Sequence, residues 1–152
     1  MNGSPINQPQ TVATCSTCLA YLITVPTYGS RLHGDERGTV DQAHNIFGMA
    51  MLPANPILQA WEQSKLTSEH FLFDAAQRRI VKATIEETAR LRQWCVHAMN
   101  VRTNHVHYVI TAQETPERVM NTMKSWCTRR LRERHLVRAD QRVWVRHGST
   151  RY

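Results

Sequence analysis

The 152-residue chain contains no long apolar run. Nothing in it approaches the roughly 18 consecutive apolar residues of a membrane span, so no membrane-crossing helix is expected. Its first ten residues are polar and lack both the basic start and the apolar core of a secretory signal, which points to a cytoplasmic protein. Cysteine is scarce. Cys15 and Cys18 form a C-x-x-C, while Cys95 and Cys127 stand singly. A zinc site needs a second pair of ligands at suitable spacing, and neither single cysteine supplies one. Reduced thiols are the plainer reading, and zinc at Cys15 and Cys18 with a distant ligand stays open. Acidic residues are also in the minority, with 12 Asp and Glu against 19 Lys and Arg, for a formal net charge of +7.

That excess is not spread evenly. From Glu114 to Tyr152 there are ten Lys and Arg and four carboxylates, so almost all of the net positive charge lies in the last quarter of the chain. A polyanionic partner is the class of ligand this favours.

The length suits one domain able to bury a core without staples. Residues 1–18 are rich in Asn, Gln, Thr, Ser and Pro and are expected to form a flexible tail, with one domain over 19–152. A first strand is expected over 19–25, buried on both faces, and ended by Pro26 and Gly29. From about 30 to 72 the chain changes character and reads as an insertion with a short helix over 57–65. Within it, His33, Asp35 and Glu36 sit among glycines. They are either a solvated turn or a set of ligands and bases.

The clearest helix opens at Asp74, with Gln77 three residues on in a capping-box arrangement. A strand over 94–101, a turn at Arg102-Thr103-Asn104 and a strand carrying His105 and His107 then predict an antiparallel hairpin. Alternation puts the two imidazoles on one face, near the hairpin end, and Tyr108 on the other. His97, on the partner strand, reads as a half-buried packing residue, with a ligand role left open.

Thr115 and Pro116 start a second long helix running to about Arg134. Val119, Met123, Cys127 and Leu131 form its buried seam, widened by Met120 and Trp126. Lys124, Arg129, Arg130, Arg132 and Arg134 occupy its other sides, either facing phosphates or merely solvated. The tail from Arg142 to Tyr152 is expected to start as a short strand, with Trp144 as a core anchor and Arg146 and Arg151 as backbone contacts.

The order is βαββαβ, an α+β ferredoxin-like arrangement with helices on one face of an antiparallel sheet. A His-x-His pair alone is close to a chance event. On a strand followed by a basic helix, it becomes a place to hold a divalent metal against a phosphodiester.

At this point the residues resemble a family. Asn104-His105-Val106-His107 before an apolar strand is similar to the histidine-hydrophobe-histidine motif of single-tyrosine HUH transposases, especially the REP-associated tyrosine transposases. The likeness takes in Ala20-Tyr21-Leu22-Ile23-Thr24, His33-Gly34-Asp35-Glu36-Arg37-Gly38, Asn100 to Asn104, Arg118-Val119-Met120 with Lys124, and Val143-Trp144 through Tyr152.

The resemblance implies an HUH endonuclease-type fold and a homodimer acting on single-stranded, hairpin-bearing DNA. It implies Mg2+ or Mn2+ on His105 and His107, and a tyrosine nucleophile that forms a phosphotyrosine bond. Arg102, Asn104, Lys124, Arg129, Arg130, Arg146 and Arg151 are the expected DNA contacts. The family's tyrosine helix has no counterpart among these residues. Tyr152 is the only tyrosine near the C-terminus, and its position matches one outside that helix. A remnant that binds hairpin DNA without cutting it is therefore the alternative, and a structural metal site serving an RNA or protein partner is a third reading.

Overall fold

The computed structural model describes residues 20–30, 32, 34–36 and 53–151. The tail expected over 1–18, with Cys15 and Cys18, lies outside the described residues, as do His33 and Tyr152. In chain order the elements are β1 (Tyr21–Pro26), α1 (Pro56–Ser64), α2 (Ala75–Leu91), β2 (Cys95–Val101), β3 (His105–Thr111), α3 (Pro116–Glu133) and β4 (Ser149–Arg151).

Local chemistry explains where the helices begin. At α2 the Gln77 N–H donates to the Asp74 carboxylate (2.8 Å) and the Asp74 N–H donates to the Gln77 side-chain oxygen (2.9 Å), so two otherwise orphan donors are satisfied reciprocally. Thr115 caps α3 by accepting from the Arg118 N–H, and Pro116, which has no N–H to orphan, takes the first helical position. Asn55 and Pro56 do the same for α1. Both long helices stop at a left-handed residue nearby, Gln93 (φ 57°) after α2 and His135 (φ 55°) after α3.

The four strands form one antiparallel sheet in the order β2-β3-β1-β4. Because β3 lies between β1 and β2, this is the split βαβ arrangement expected from the element order, with α1 added in the 30–72 stretch. Ile23 and Val25 of β1 and Val106, Tyr108 and Ile110 of β3 point to one side of the sheet. There they share a single core with Val81, Ile85 and Ala89 of α2 and with Val119, Met123, Cys127 and Leu131 of α3. Among the described residues no helix is long and apolar enough to cross a membrane.

Four expectations change. First, β1 is not buried on both faces: Ile23 and Val25 are buried, but Leu22 is 42% exposed because no described helix covers the second side. Second, Trp126 does not widen the α3 seam. It is exposed, with the Arg129 guanidinium 5.4 Å from its ring centre. Third, His97 is exposed rather than half-buried, because it is the extra residue where the β2–β3 register shifts between Val96 and Ala98.

Fourth, the last strand does not start at Arg142 but is Ser149–Arg151. The expected segment does run beside β1: Trp144 bridges Thr27, and the Val145 N–H donates to the Pro26 carbonyl (3.2 Å). Pro26 offers that edge an acceptor and no donor, so the ladder lapses there and resumes at Ser149 opposite Thr24.

The return is tight at Gly148. A Cβ on this residue would stand 2.6 Å from the Thr24 carbonyl oxygen and 2.6 Å from Met120 Sδ. Gly148→Ala is therefore expected to cost about 1–3 kcal/mol, read as a fall of several degrees in Tm on thermal melting; an unchanged Tm would show that the edge has room to yield.

The opposite sign is expected at Tyr108. Its hydroxyl is buried without a hydrogen-bond partner, and burial pushes its pKa up. Tyr108→Phe should leave chemical-denaturation stability unchanged or raise it by up to about 1 kcal/mol.

Candidate functional site

The side of the sheet away from α2 and α3 carries the histidines. They begin at the β2–β3 hairpin, where the Arg102 N–H donates to the His105 carbonyl (2.8 Å) and leaves Thr103-Asn104 as a two-residue loop. The loop is tied to the end of β1. The Asn104 carbonyl accepts from the Thr27 N–H (2.8 Å), the Thr27 hydroxyl (3.0 Å) and the Ser30 hydroxyl (3.1 Å), whose proton is shared with the Thr27 carbonyl (2.8 Å). With the hairpin tip held this way, Pro26 sits opposite His105 and Thr24 opposite His107.

The two imidazoles lie with ring centres 4.3 Å apart and planes at 67°. Each has its Nδ1 engaged. His105 Nδ1 is 2.7 Å from Asn104 Oδ1, and because an amide oxygen only accepts, this nitrogen carries the proton and the ring's lone pair is on Nε2. His107 Nδ1 is 2.7 Å from the Thr24 hydroxyl oxygen. When Nδ1–H donates to it, the lone pair of this ring is likewise on Nε2. Burial, followed by the positive charge of Arg102, lowers the His107 pKa, which keeps the ring in the neutral, ligating form near pH 7.

The pair therefore has donor chemistry suited to a two-imidazole metal site, with the His105 tautomer set by the Asn104 amide oxygen and the Thr24 hydroxyl able to accept from Nδ1 of His107. No group of three His, Cys, Asp or Glu side chains stands together among the described residues, which leaves the two imidazoles as the candidate ligands there. His97 is not a third. Its Nε2 is 2.8 Å from the Thr111 hydroxyl, and Thr111 is four residues along β3 from His107, about 13 Å away.

Strand pairing arranges the face in rows. Asn100, His107, Thr24 and Ser149 line up across β2, β3, β1 and β4, and Ala98, Val109, Leu22 and Arg151 form the next row. Neither row contains a carboxylate. Arg102, exposed on the hairpin, adds a positive charge beside them.

The expected DNA contacts divide between the two sides of the sheet. Arg102, Asn104 and Arg151 belong with the histidines. Arg129 and Arg130 belong to α3 in the helical layer, where Arg129 pairs with Glu133 and Arg130 with Glu87 (both 2.8 Å). Lys124 is half-buried, which lowers its pKa, and its ammonium donates to the carbonyls of Val145 (2.8 Å) and Arg146 (3.0 Å), the latter residue being exposed. Asp35 is buried in the 30–72 stretch, where the Asp35 N–H donates to the Leu32 carbonyl (3.2 Å).

Sequence reasoning did not single out Thr24, Asn100 or Ser149 as neighbours of the histidines, although each lies in a stretch that carries the resemblance. Their alignment in one row appears only with the strand register, since Thr24 and His107 are 83 residues apart.

Comparisons with known proteins agree with this architecture. The family described as "Transposase IS200 like" matches residues 66–150, more than half of the chain. A crystal structure from Deinococcus radiodurans R1, of a protein provisionally described as a transposase, is similar with a TM-score of 0.53 and 12% identity, over 97% of this chain and 85% of that one. At that identity the likeness concerns the fold. No curated protein matches.

If Thr24 orients a ligating imidazole, Thr24→Val, which keeps the shape of the side chain and loses the acceptor, should weaken Mn2+ binding about tenfold. Isothermal titration would show it. Unchanged affinity in a folded variant would remove Thr24 from the site.

Proposed function

Because the chain belongs to the IS200-like transposase family, we propose that it engages single-stranded, hairpin-bearing DNA, with His105 and His107 holding a divalent metal, Mg2+ or Mn2+, at a phosphodiester of that strand. The observation that carries this reading is the pair of imidazoles, each with its Nδ1 held, on a sheet face whose rows contain no carboxylate. A metal bound there supplies Lewis-acid polarisation of the phosphate. The protein's own contribution is positional. Asn104 sets the tautomer of His105, Thr24 orients His107, Arg102 adds positive charge, and Arg146 and Arg151 stand on the adjoining edge to meet the backbone. Lys124, Arg129 and Arg130 would meet a different part of the same DNA, since they belong to the helical layer. A homodimer is part of the proposal by family analogy.

The family's chemistry needs a tyrosine nucleophile. Among the described residues Tyr108 is buried on the core side, with its pKa raised, and cannot serve. The Tyr28 hydroxyl bonds to Thr67, and Tyr21 lies opposite Ile110 at the far end of β1 from the His105 pairing. This favours a second reading, in which the described domain binds hairpin DNA and does not itself cut it.

Two measurements on the whole chain separate the readings. Fluorescence anisotropy with a hairpin oligonucleotide should give an affinity that falls with salt, its log–log slope near −0.7 to −0.9 per phosphate neutralised; absence of binding at low salt would overturn both. Incubation with the same DNA and Mn2+ should give a denaturation-resistant protein–DNA adduct, lost in His105→Ala and His107→Ala, on the first reading. Salt-sensitive binding with no adduct would establish the second.

A further inference from the structure

The row beside the His107 row differs from it in kind. Where Asn100, His107, Thr24 and Ser149 are polar, the neighbouring positions on β2, β3 and β1 are Ala98, Val109 and Leu22, and the row ends at Arg151 on β4. Leu22 is 42% exposed and Ala98 is exposed. A single exposed leucine is ordinary, but here three apolar residues stand in line across three strands, on the side of the sheet that α2 and α3 leave uncovered. Two residues along a strand is about 6.6 Å, so this strip begins within one nucleotide's length of the histidine pair.

We propose that the Ala98–Val109–Leu22 strip seats one unpaired nucleobase, that of the nucleotide adjoining the phosphate at His105 and His107. The inference rests on the reading of the site given above and adds to it what holds the strand beside the metal. An unpaired base presents an apolar face that water covers poorly, and a flat strip between a phosphate-binding row and an arginine matches its two characters, apolar ring and anionic linkage. A base inside a duplex is stacked between its neighbours and has no face to offer, so the strip selects single strands. Because every base has such a face, the seat tolerates sequence and rewards area, favouring purines over pyrimidines. Continuity with the histidine row and the lack of carboxylates in both rows are what favour a nucleic acid over a protein segment as the occupant.

The test uses the full chain, Mn2+ and a fluorescein-labelled single-stranded oligonucleotide, with affinity read by anisotropy. Leu22→Ser should weaken binding about threefold to tenfold, from the apolar area of Leu22 that the base would bury, while Leu91→Ser, which alters a leucine 67% exposed at the end of α2, should change nothing. Moving one abasic residue along the oligonucleotide should reveal a position at which wild type and Leu22→Ser bind alike, marking the seated base. Leu22→Thr, better suited to a strand, serves if the serine variant loses its circular dichroism.

His105→Ala separates this inference from the reading beneath it. If His105→Ala lowers Mn2+-supported binding and Leu22→Ser does not, the base seat is overturned and the metal site stands. If His105→Ala has no effect, the metal reading fails and the inference with it. An equal loss on duplex DNA, or a change in sedimentation in place of a change in affinity, would also overturn the seat, the second outcome assigning the strip to a contact between copies of the chain.

Discussion

The geometry of the site depends on one carbonyl. Asn104 O receives the Thr27 N–H, the Thr27 hydroxyl and a share of the Ser30 proton, and so fastens the tip of the β2–β3 hairpin to the exit of β1. These groups are buried or nearly so: Thr27 is fully buried and Ser30 almost so. An unmet acceptor in such a place is costly, and three donors make this contact hard to exchange for another. What it fixes is register. A slip of one residue between β1 and β3 would turn both imidazoles into the core and bring Val106 and Tyr108 out to water. The side chain of Asn104 bonds the His105 ring, so one residue both holds the register and orients an imidazole of the candidate site.

Much of this is legible in the sequence. The capping box at Asp74, the Thr115-Pro116 start and the i+4 seam of α3 are local signals, written in residues three or four apart, and they hold in the structure. The opposite facing of Tyr108 and the histidines follows from the two-residue period of a strand. What stayed hidden depends on distant parts of the chain. Thr24 is an unremarkable strand threonine until β1 is set against β3. The exposure of Leu22 could not be inferred from a run of apolar residues, because it depends on which side of the sheet receives the helices. The bulge that turns His97 outward has no local signature, since Val96 and Ala98 would suit an unbroken strand equally well.

The final strand shows a different kind of failure. The alternating residues around Trp144 do run along β1, and Trp144 packs against Phe73 and donates from its indole nitrogen to the Thr128 hydroxyl (3.1 Å) and the Lys124 carbonyl (3.2 Å). The pattern does correspond to extended backbone. What it does not contain is the state of the neighbouring strand, where a proline interrupts the ladder. A strand's partner can thus interrupt it as firmly as its own residues can.

Lys124 can be viewed as a strut. Its ammonium reaches from α3 to two consecutive carbonyls of the edge segment, which a few residues later closes over Gly148 and pairs with Thr24. The helical layer and the imidazole layer, though on opposite sides of the sheet, are therefore joined by a hydrogen-bonded linkage that passes around its edge rather than through its middle. From the outer surface of α3, the chain of contacts runs through Lys124 and the edge segment to Thr24, which bonds His107. The sheet separates the two surfaces chemically, and the edge joins them mechanically.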